Sequence, residues 1–386
     1  MRPRGILGRH LINGALVVGS VVIGLGIVEL TLRALGIYVL REVISAHAFD
    51  ETLGWQPKPG SIAVRSKDTF GLVATHFDHD GLVVGPDRWP DPPDRTSPSV
   101  ALIGDSFLEG YYLPYEQTPA GRLARSIGDR QLLNLGVAGY GPEQYLLRAR
   151  RVLPRYNVMQ IVVMFFPTND VPFVGKDMFF DYAKPRFDEA LRPVNLPLVD
   201  SGVAKRRQFR GSAVLNMSRV YYLFAADWLR GGQDAADPTR PAFLRHFGVV
   251  PRQPDQAWQP IPEFRLAMRL IAAIRAENPS VRFDVVYVAS PFEYASDAER
   301  RINKQIFFAV CSDLALACHY PAMFDAGQHD VWDLYIPRDG HFTALGSALF
   351  ADDLARVVPA HDDGGDRIAA RRSNRTMMSG SQPPGG

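Results

Sequence analysis

The chain of 386 residues is 46% hydrophobic and 22% charged, enough for a substantial core in one large domain with appendages or in two small domains. Its net charge of +2, with no basic stripe interleaved with aromatics, offers nothing to a nucleic-acid partner. The two cysteines, Cys311 and Cys318, neither make a C-x-x-C motif nor sit among histidines at metal-site spacing, which argues against zinc and thioredoxin-like chemistry.

Leu11 to Val28 is an uncharged run of 18 residues, preceded by Arg2, Arg4 and Arg9. With tilt and the apolar residues up to Ile37, it is long enough to span a bilayer. No small-residue cleavage site follows directly, so residues 1–37 are read as a cytoplasmic N-terminus and uncleaved transmembrane anchor rather than a removed signal peptide. The arginines keep the N-terminus cytoplasmic and place the bulk of the chain outside, on the periplasmic side of the inner membrane in a Gram-negative cell. There the two cysteines can pair, although the apolar stretch around Cys318 equally suits a buried free thiol.

Residues 38–98 are dominated by turn residues, in Leu53-Gly54-Trp55-Gln56-Pro57-Lys58-Pro59-Gly60 and Asp78-His79-Asp80-Gly81-Leu82. Short alternating segments at Ser61 to Val64 and Leu72 to His76 lie between them. They read as an irregular, partly β collar or linker. From Ser99 the pattern becomes α/β. Val100 to Ile103 is a buried strand, Gln117 to Ile127 a helix, Leu132 to Leu135 a strand, Pro142 to Leu153 a helix and Val158 to Phe165 a long strand. Residues 171–259 break the rhythm and read as an insertion, with one helix expected at Ser218 to Leu229. A helix at Ile261 to Asn278, a strand at Phe283 to Ala289, a helix at Ala298 to Leu314, a strand near Cys318 to Met323 and a helix at Ala344 to Val358 complete residues 99–360. The alternation predicts a parallel sheet with helices on both faces. Residues 361–386, rich in Gly, Ser, Pro and charge, read as a disordered tail.

Four loops carry chemistry. Val100 to Ile103 runs into Gly104-Asp105-Ser106-Phe107, which sets Ser106 at the carboxyl end of a strand, where open α/β sheets place their sites. Its hydroxyl is a nucleophile if a base is at hand, and its own N–H can face an oxyanion. Asn134-Leu135-Gly136-Val137-Ala138-Gly139 follows the second strand, and the Gly139 N–H can approach the same oxyanion. Pro167-Thr168-Asn169-Asp170 follows the third long strand and supplies the Asn169 amide as a further donor. Before the last helix, Asp339-Gly340-His341 supplies an imidazole to shuttle the serine proton and a carboxylate to orient it. Taken singly, each loop reads as an ordinary turn; together they form an acyl-transfer set.

This pattern resembles the SGNH hydrolases, or GDSL esterases, over about Ser99 to Ala360, and the collar motifs resemble a membrane-anchored bacterial branch. The resemblance implies a three-layer flavodoxin-like sandwich with a central parallel sheet. It also implies Ser106 as nucleophile, His341 as base and Asp339 as its partner. Ser106, Gly139 and Asn169 form the oxyanion hole, and no cofactor or metal is involved. Pro167 stands where the family usually has glycine. One residue separates Asp339 from His341 where the family often has two, so Asp333 is the reserve acid. The expected activity is that of a tethered serine esterase acting on an acylated small molecule or on a glycan, such as an O-acetylated envelope or secreted polysaccharide. An O-acyltransferase of polysaccharide-modifying machinery, using the same triad, is the close alternative. A non-catalytic glycan-binding or assembly protein is the distant one, in which Phe165, Phe166, Phe173, Phe179, Phe180 and Tyr182 stack on sugars rather than pack a core. The acyl group, the acceptor and the oligomeric state are not legible.

Overall fold

A computed structural model describes residues 4–34, 41–44, 46–67, 71–110, 112–179, 182–200, 248–249, 258–325, 329–337 and 339–359. The expected helix at Ser218 to Leu229, Phe180 and the expected tail at 361–386 lie outside them. The N-terminal helix α1 runs from Arg4 to Ala34, and its stretch Ile12–Thr31 has a mean hydropathy of 2.0, with its large apolar side chains exposed. Such a helix is long and apolar enough to cross a membrane.

The collar region contributes strands β1 (Arg41–Ile44), β2 (His47–Asp50), β3 (Gly54–Pro57), β4 (Ile62–Lys67), β5 (Gly71–Phe77) and β6 (Val83–Val84). Next come β7 (Ser99–Ile103), the one-turn helix α2 (Ser106–Glu109), α3 (Pro119–Ala124), β8 (Gln131–Asn134), α4 (Pro142–Val152), β9 (Val158–Phe165) and the one-turn helix α5 (Pro167–Asp170). Short pairs β10 (Met178–Phe179) with β11 (Tyr182–Ala183), and β12 (Gly248–Val249) with β13 (Gln259–Pro260), stand apart. The rest is α6 (Pro262–Glu277), β14 (Arg282–Tyr287), α7 (Pro291–Tyr294), α8 (Asp297–Asp313), β15 (Ala317–His319), α9 (Val331–Leu334) and α10 (Ala344–Val357).

Among the described residues, nine strands form one sheet in the order β1-β4-β5-β6-β8-β7-β9-β14-β15. The five strands from β8 to β15 are parallel, in the 2-1-3-4-5 order of flavodoxin-like sheets. The four on the other side are antiparallel. The sheet is therefore mixed, not the parallel sheet expected. The physical reason is that β8 would otherwise end the sheet with unpaired backbone groups, and the collar strands continue its ladder through Val83 opposite Asn134.

Right-handed crossovers put connections that run in opposite directions along a sheet on opposite faces. Accordingly α3 packs with α10, while α4 packs with α6 and α6 with α8. Each position is encoded locally. β7 is buried throughout as Ser-Val-Ala-Leu-Ile, the pattern of a strand covered on both faces. Asp105, Thr118, Ser290, Ser296 and Thr343 cap helices with their side chains, each accepting a first-turn N–H. The expected helix at 117–127 is shorter, because a 3-10 turn over Tyr115–Gln117 precedes α3. The expected strand at 318–323 stops at His319, where Pro321 begins another 3-10 turn. Cys311 and Cys318 are joined in a disulfide that ties the end of α8 to β15.

Phe165 packs in the core against Phe264, Tyr287 and Phe307. Phe173 and Phe179 pack on each other, and Phe179 and Tyr182 pack on Trp55. These aromatics are thus engaged with one another rather than standing as a free platform. Beneath them Lys184, fully buried, donates to Glu143 Oε1 of α4 at 2.9 Å and to the Phe173 carbonyl at 3.1 Å, which anchors the residues after 171 to the sheet domain.

Candidate active site

β7 and β9 are neighbours whose onward connections leave in opposite directions, so their carboxyl ends flank the crevice where open α/β sheets bind ligands. Ser106 follows β7 and Asn169 follows β9. Ser106 is the first residue of α2, and Asp105 caps that helix by accepting from the Phe107 N–H at 3.1 Å.

His341 Nε2 lies 2.7 Å from Ser106 Oγ, and His341 Nδ1 lies 2.6 Å from Asp339 Oδ1. The two-residue spacing works because the same carboxylate oxygen also accepts the His341 backbone N–H at 3.1 Å. Gly340 between them adopts φ +91°, which favours glycine. The hairpin-like turn is held by Ile336, whose N–H donates to the His341 carbonyl at 2.8 Å and whose carbonyl accepts from Gly340 N at 3.0 Å. Asp333, the reserve acid, is exposed in α9, and the Nδ1 position belongs to Asp339.

The imidazole is wedged by Phe107 at 5.1 Å between ring centres and by the edge of Tyr112 at 6.0 Å. Burial alone would depress its pKa. The Asp339 charge and hydrogen bond and the Asp105 charge outweigh burial and raise it above the ordinary 6.5. A hydroxyl, imidazole and carboxylate in series are able to pass the serine proton to a leaving group through the ring.

Val137 to Tyr140 form a turn closed by the Tyr140 N–H on the Val137 carbonyl at 3.1 Å. Gly139, at φ +75°, occupies its third position, where a type II turn calls for glycine. The Asn169 amide donates to the Tyr140 carbonyl at 2.9 Å and to Asp105 Oδ2 at 3.1 Å. Both amide hydrogens therefore serve the protein in this structure, and an oxyanion can be met by sharing the longer bond as a three-centre contact. Burial pushes Asp105 up to about 6, against the opposing bonds from Phe107 and Asn169 and the charge of His341. Asp170, also buried, is held well above the ordinary carboxylate range by burial and the Asp105 charge while accepting from Tyr145 Oη and the Phe166 N–H, each at 2.9 Å.

Beside Ser106 an open hollow of about 200 Å³ is lined by Phe107, Gly110, Leu113, Pro119, His341 and Phe342. The structure thus gathers Ser106, His341, Asp339 and Asn169 around one crevice, with Gly139 in the turn that Asn169 holds. Sequence reasoning missed Asp105, Asp170 and Glu109. The available signal was a carboxylate inside an otherwise apolar strand-to-helix run, a position that is buried only with partners.

No family model matches the chain, and no curated protein does. Among solved structures it is similar to a lipase/acylhydrolase from Enterococcus faecalis at 13% identity, over 67% of this chain and 94% of that one, with a TM-score of 0.37. It is also similar to a member of the lipolytic G-D-S-L family from Veillonella parvula at 11% identity, over 68% and 98%, with a TM-score of 0.35. A psychrotrophic esterase from Pseudoalteromonas matches at 13% identity, over 68% and 96%, with a TM-score of 0.33.

Proposed function

We propose that this chain is a serine esterase of the SGNH type, held to a membrane by α1 with its catalytic residues outside the cytoplasm. The observation that carries the reading is the unbroken hydrogen-bond series from Ser106 through His341 to Asp339 at the topological switch point of the sheet. Ser106 Oγ attacks an ester carbonyl carbon as His341 Nε2 takes its proton. The Asp339 carboxylate stabilises the resulting imidazolium. The Ser106 and Gly139 N–H groups and the Asn169 amide meet the tetrahedral oxyanion. Collapse expels the alcohol, which receives the proton from His341. Water, deprotonated by the same imidazole, then releases the acid and regenerates Ser106.

The hollow beside Ser106 is open, with the apolar side chains of Phe107, Leu113, Pro119 and Phe342 around Ser106 and His341. Tethering beside a cell envelope supports an O-acylated glycan as the substrate class. The disulfide supports an oxidising compartment, since such bonds are rare where thiols are kept reduced.

The test is covalent labelling of the detergent-solubilised full chain with a fluorophosphonate probe, beside Ser106→Ala and His341→Ala. The expected result is labelling of the unaltered chain at Ser106 and its loss in both variants. A folded chain that takes up no probe, or a Ser106→Ala variant that still does, overturns the reading.

A further inference from the structure

The Gly139 N–H belongs to the peptide that joins Ala138 to Gly139, the middle peptide of the Val137 to Tyr140 turn. That peptide is grasped from outside the α/β domain. The indole Nε1–H of Trp55, in β3 of the collar, donates to the Ala138 carbonyl at 2.9 Å. A trans peptide is planar, with its C=O and N–H pointing oppositely. A donor fixed on the Ala138 oxygen therefore fixes the direction of the Gly139 N–H, which points away from Trp55.

The preceding peptide is fixed too. The Ala138 N–H donates to Glu109 Oε2 at 2.6 Å. Glu109 closes the one-turn helix that Ser106 opens, so the turn is registered to the helix of the nucleophile. Burial would raise the Glu109 pKa, but the charges of His47 and Arg65 and the bonds from His47 and Ala138 bring it down to about 2. His47 lies in β2, 3.2 Å from Oε2, and the fully buried Arg65 of β4 binds Oε1. Both charged partners of Glu109 thus come from the collar.

Trp55 is itself held rigidly. It is 6% exposed, and its ring packs on Tyr140, Phe179 and Tyr182 at centroid distances of 5.5, 5.8 and 5.4 Å. The Tyr140 hydroxyl donates back to the Trp55 carbonyl, so strand and turn grip each other in both directions.

We propose that Trp55 is a positioning residue of the oxyanion hole, with Glu109 as its counterpart on the preceding peptide, and that the collar is part of the catalytic apparatus. The assignment rests on the esterase reading above. Type I and type II turns differ by a flip of their middle peptide. The indole hydrogen bond holds this one in the orientation with Gly139 at positive φ. Without it the half-buried Ala138 carbonyl loses its donor, and the flip that turns the Gly139 N–H aside becomes accessible. The same bond polarises the amide and strengthens the Gly139 N–H as a donor.

The test uses the full chain in detergent with p-nitrophenyl acetate as the ester. Trp55→Phe keeps an apolar ring and removes the N–H. Replacement of Trp55 by 3-benzothienylalanine, which has the indole shape without the N–H, serves if the Phe variant is unstable. The expected result is a fall in kcat of about tenfold or more, short of the loss of a whole oxyanion donor, with KM nearly unchanged and a cooperative unfolding transition retained at a somewhat lower temperature. Fluorophosphonate labelling of Ser106 slows in parallel. A kcat equal to that of the unaltered chain in both replacements overturns the assignment and leaves the esterase reading standing. An unaltered chain that neither hydrolyses the ester nor takes the probe overturns both.

Discussion

At the scale of single residues, the carboxylate that meets His341 Nδ1 decides what each nearby aspartate contributes. Asp333 and Asp339 are both within reach of His341 along the chain, and only the fold shows that Asp339 meets Nδ1 at 2.6 Å while Asp333 is exposed. Asp339→Asn is therefore expected to lower kcat by about 10³- to 10⁴-fold and Asp333→Asn to leave it nearly unchanged, as steady-state kinetics would read directly. The raised pKa of His341 sets the sign of the pH dependence. The base must be neutral to accept the serine proton, so kcat/KM rises with pH through a limb lying above 6.5, and Asp339→Asn moves what activity remains to a lower limb. Linkage runs the other way for stability. A pKa raised by folding makes the protonated ring stabilising, a contribution present in full below pH 6.5 and lost as pH rises through the raised value. Ser106, His341, Gly139 and Asn169 were legible as candidates because each sits in a short turn after a strand or before a helix, and turns are written locally. The partners of Asn169 were not, because Tyr140 and Asp105 reach it from loops 29 and 64 residues away.

At the scale of elements, the parallel strands and long helices announce themselves through runs such as Val158 to Phe165 and through side-chain caps. The collar does not. β6 is only two residues long, and its pairing with β8 rests on a single opposed pair, so no periodicity reports that it joins the main sheet. Trp55 stood out as part of a turn-rich motif, yet its bond to Ala138 spans 83 residues. The disulfide is likewise an element-scale tie. It closes a short loop between α8 and β15, with a sequence separation of 7. Replacing both cysteines with alanine is expected to cost about 2–3 kcal/mol of stability on the loop-entropy account, read as a lower urea midpoint. Because β15 lies three strands from β7, with β9 and β14 between them, esterase activity in the absence of denaturant is expected to persist.

At the scale of the whole molecule, the site is assembled across nearly the full described length, from Trp55 to His341, around the point where the sheet's connections reverse. Helix α1, the collar and the sheet domain follow one another in sequence, but four of the collar's strands, β1, β4, β5 and β6, belong to the sheet itself, while β2 and β3 pair with each other and Trp55 of β3 reaches the turn that carries Gly139.

The outermost strand, β1, is four residues long and contains Arg41 and Glu42. Short, charged strands blunt the tendency of a sheet's border to recruit a further strand. Where the chain is trimmed to free it from detergent thus decides whether it stays dispersed. A fragment beginning at 38 keeps β1 over the six-residue β4, whereas one beginning at His47 bares β4 along its pairing side. Light scattering is expected to find the second fragment self-associating and the first not; equal dispersion of both would show that β4 is harmless when uncovered.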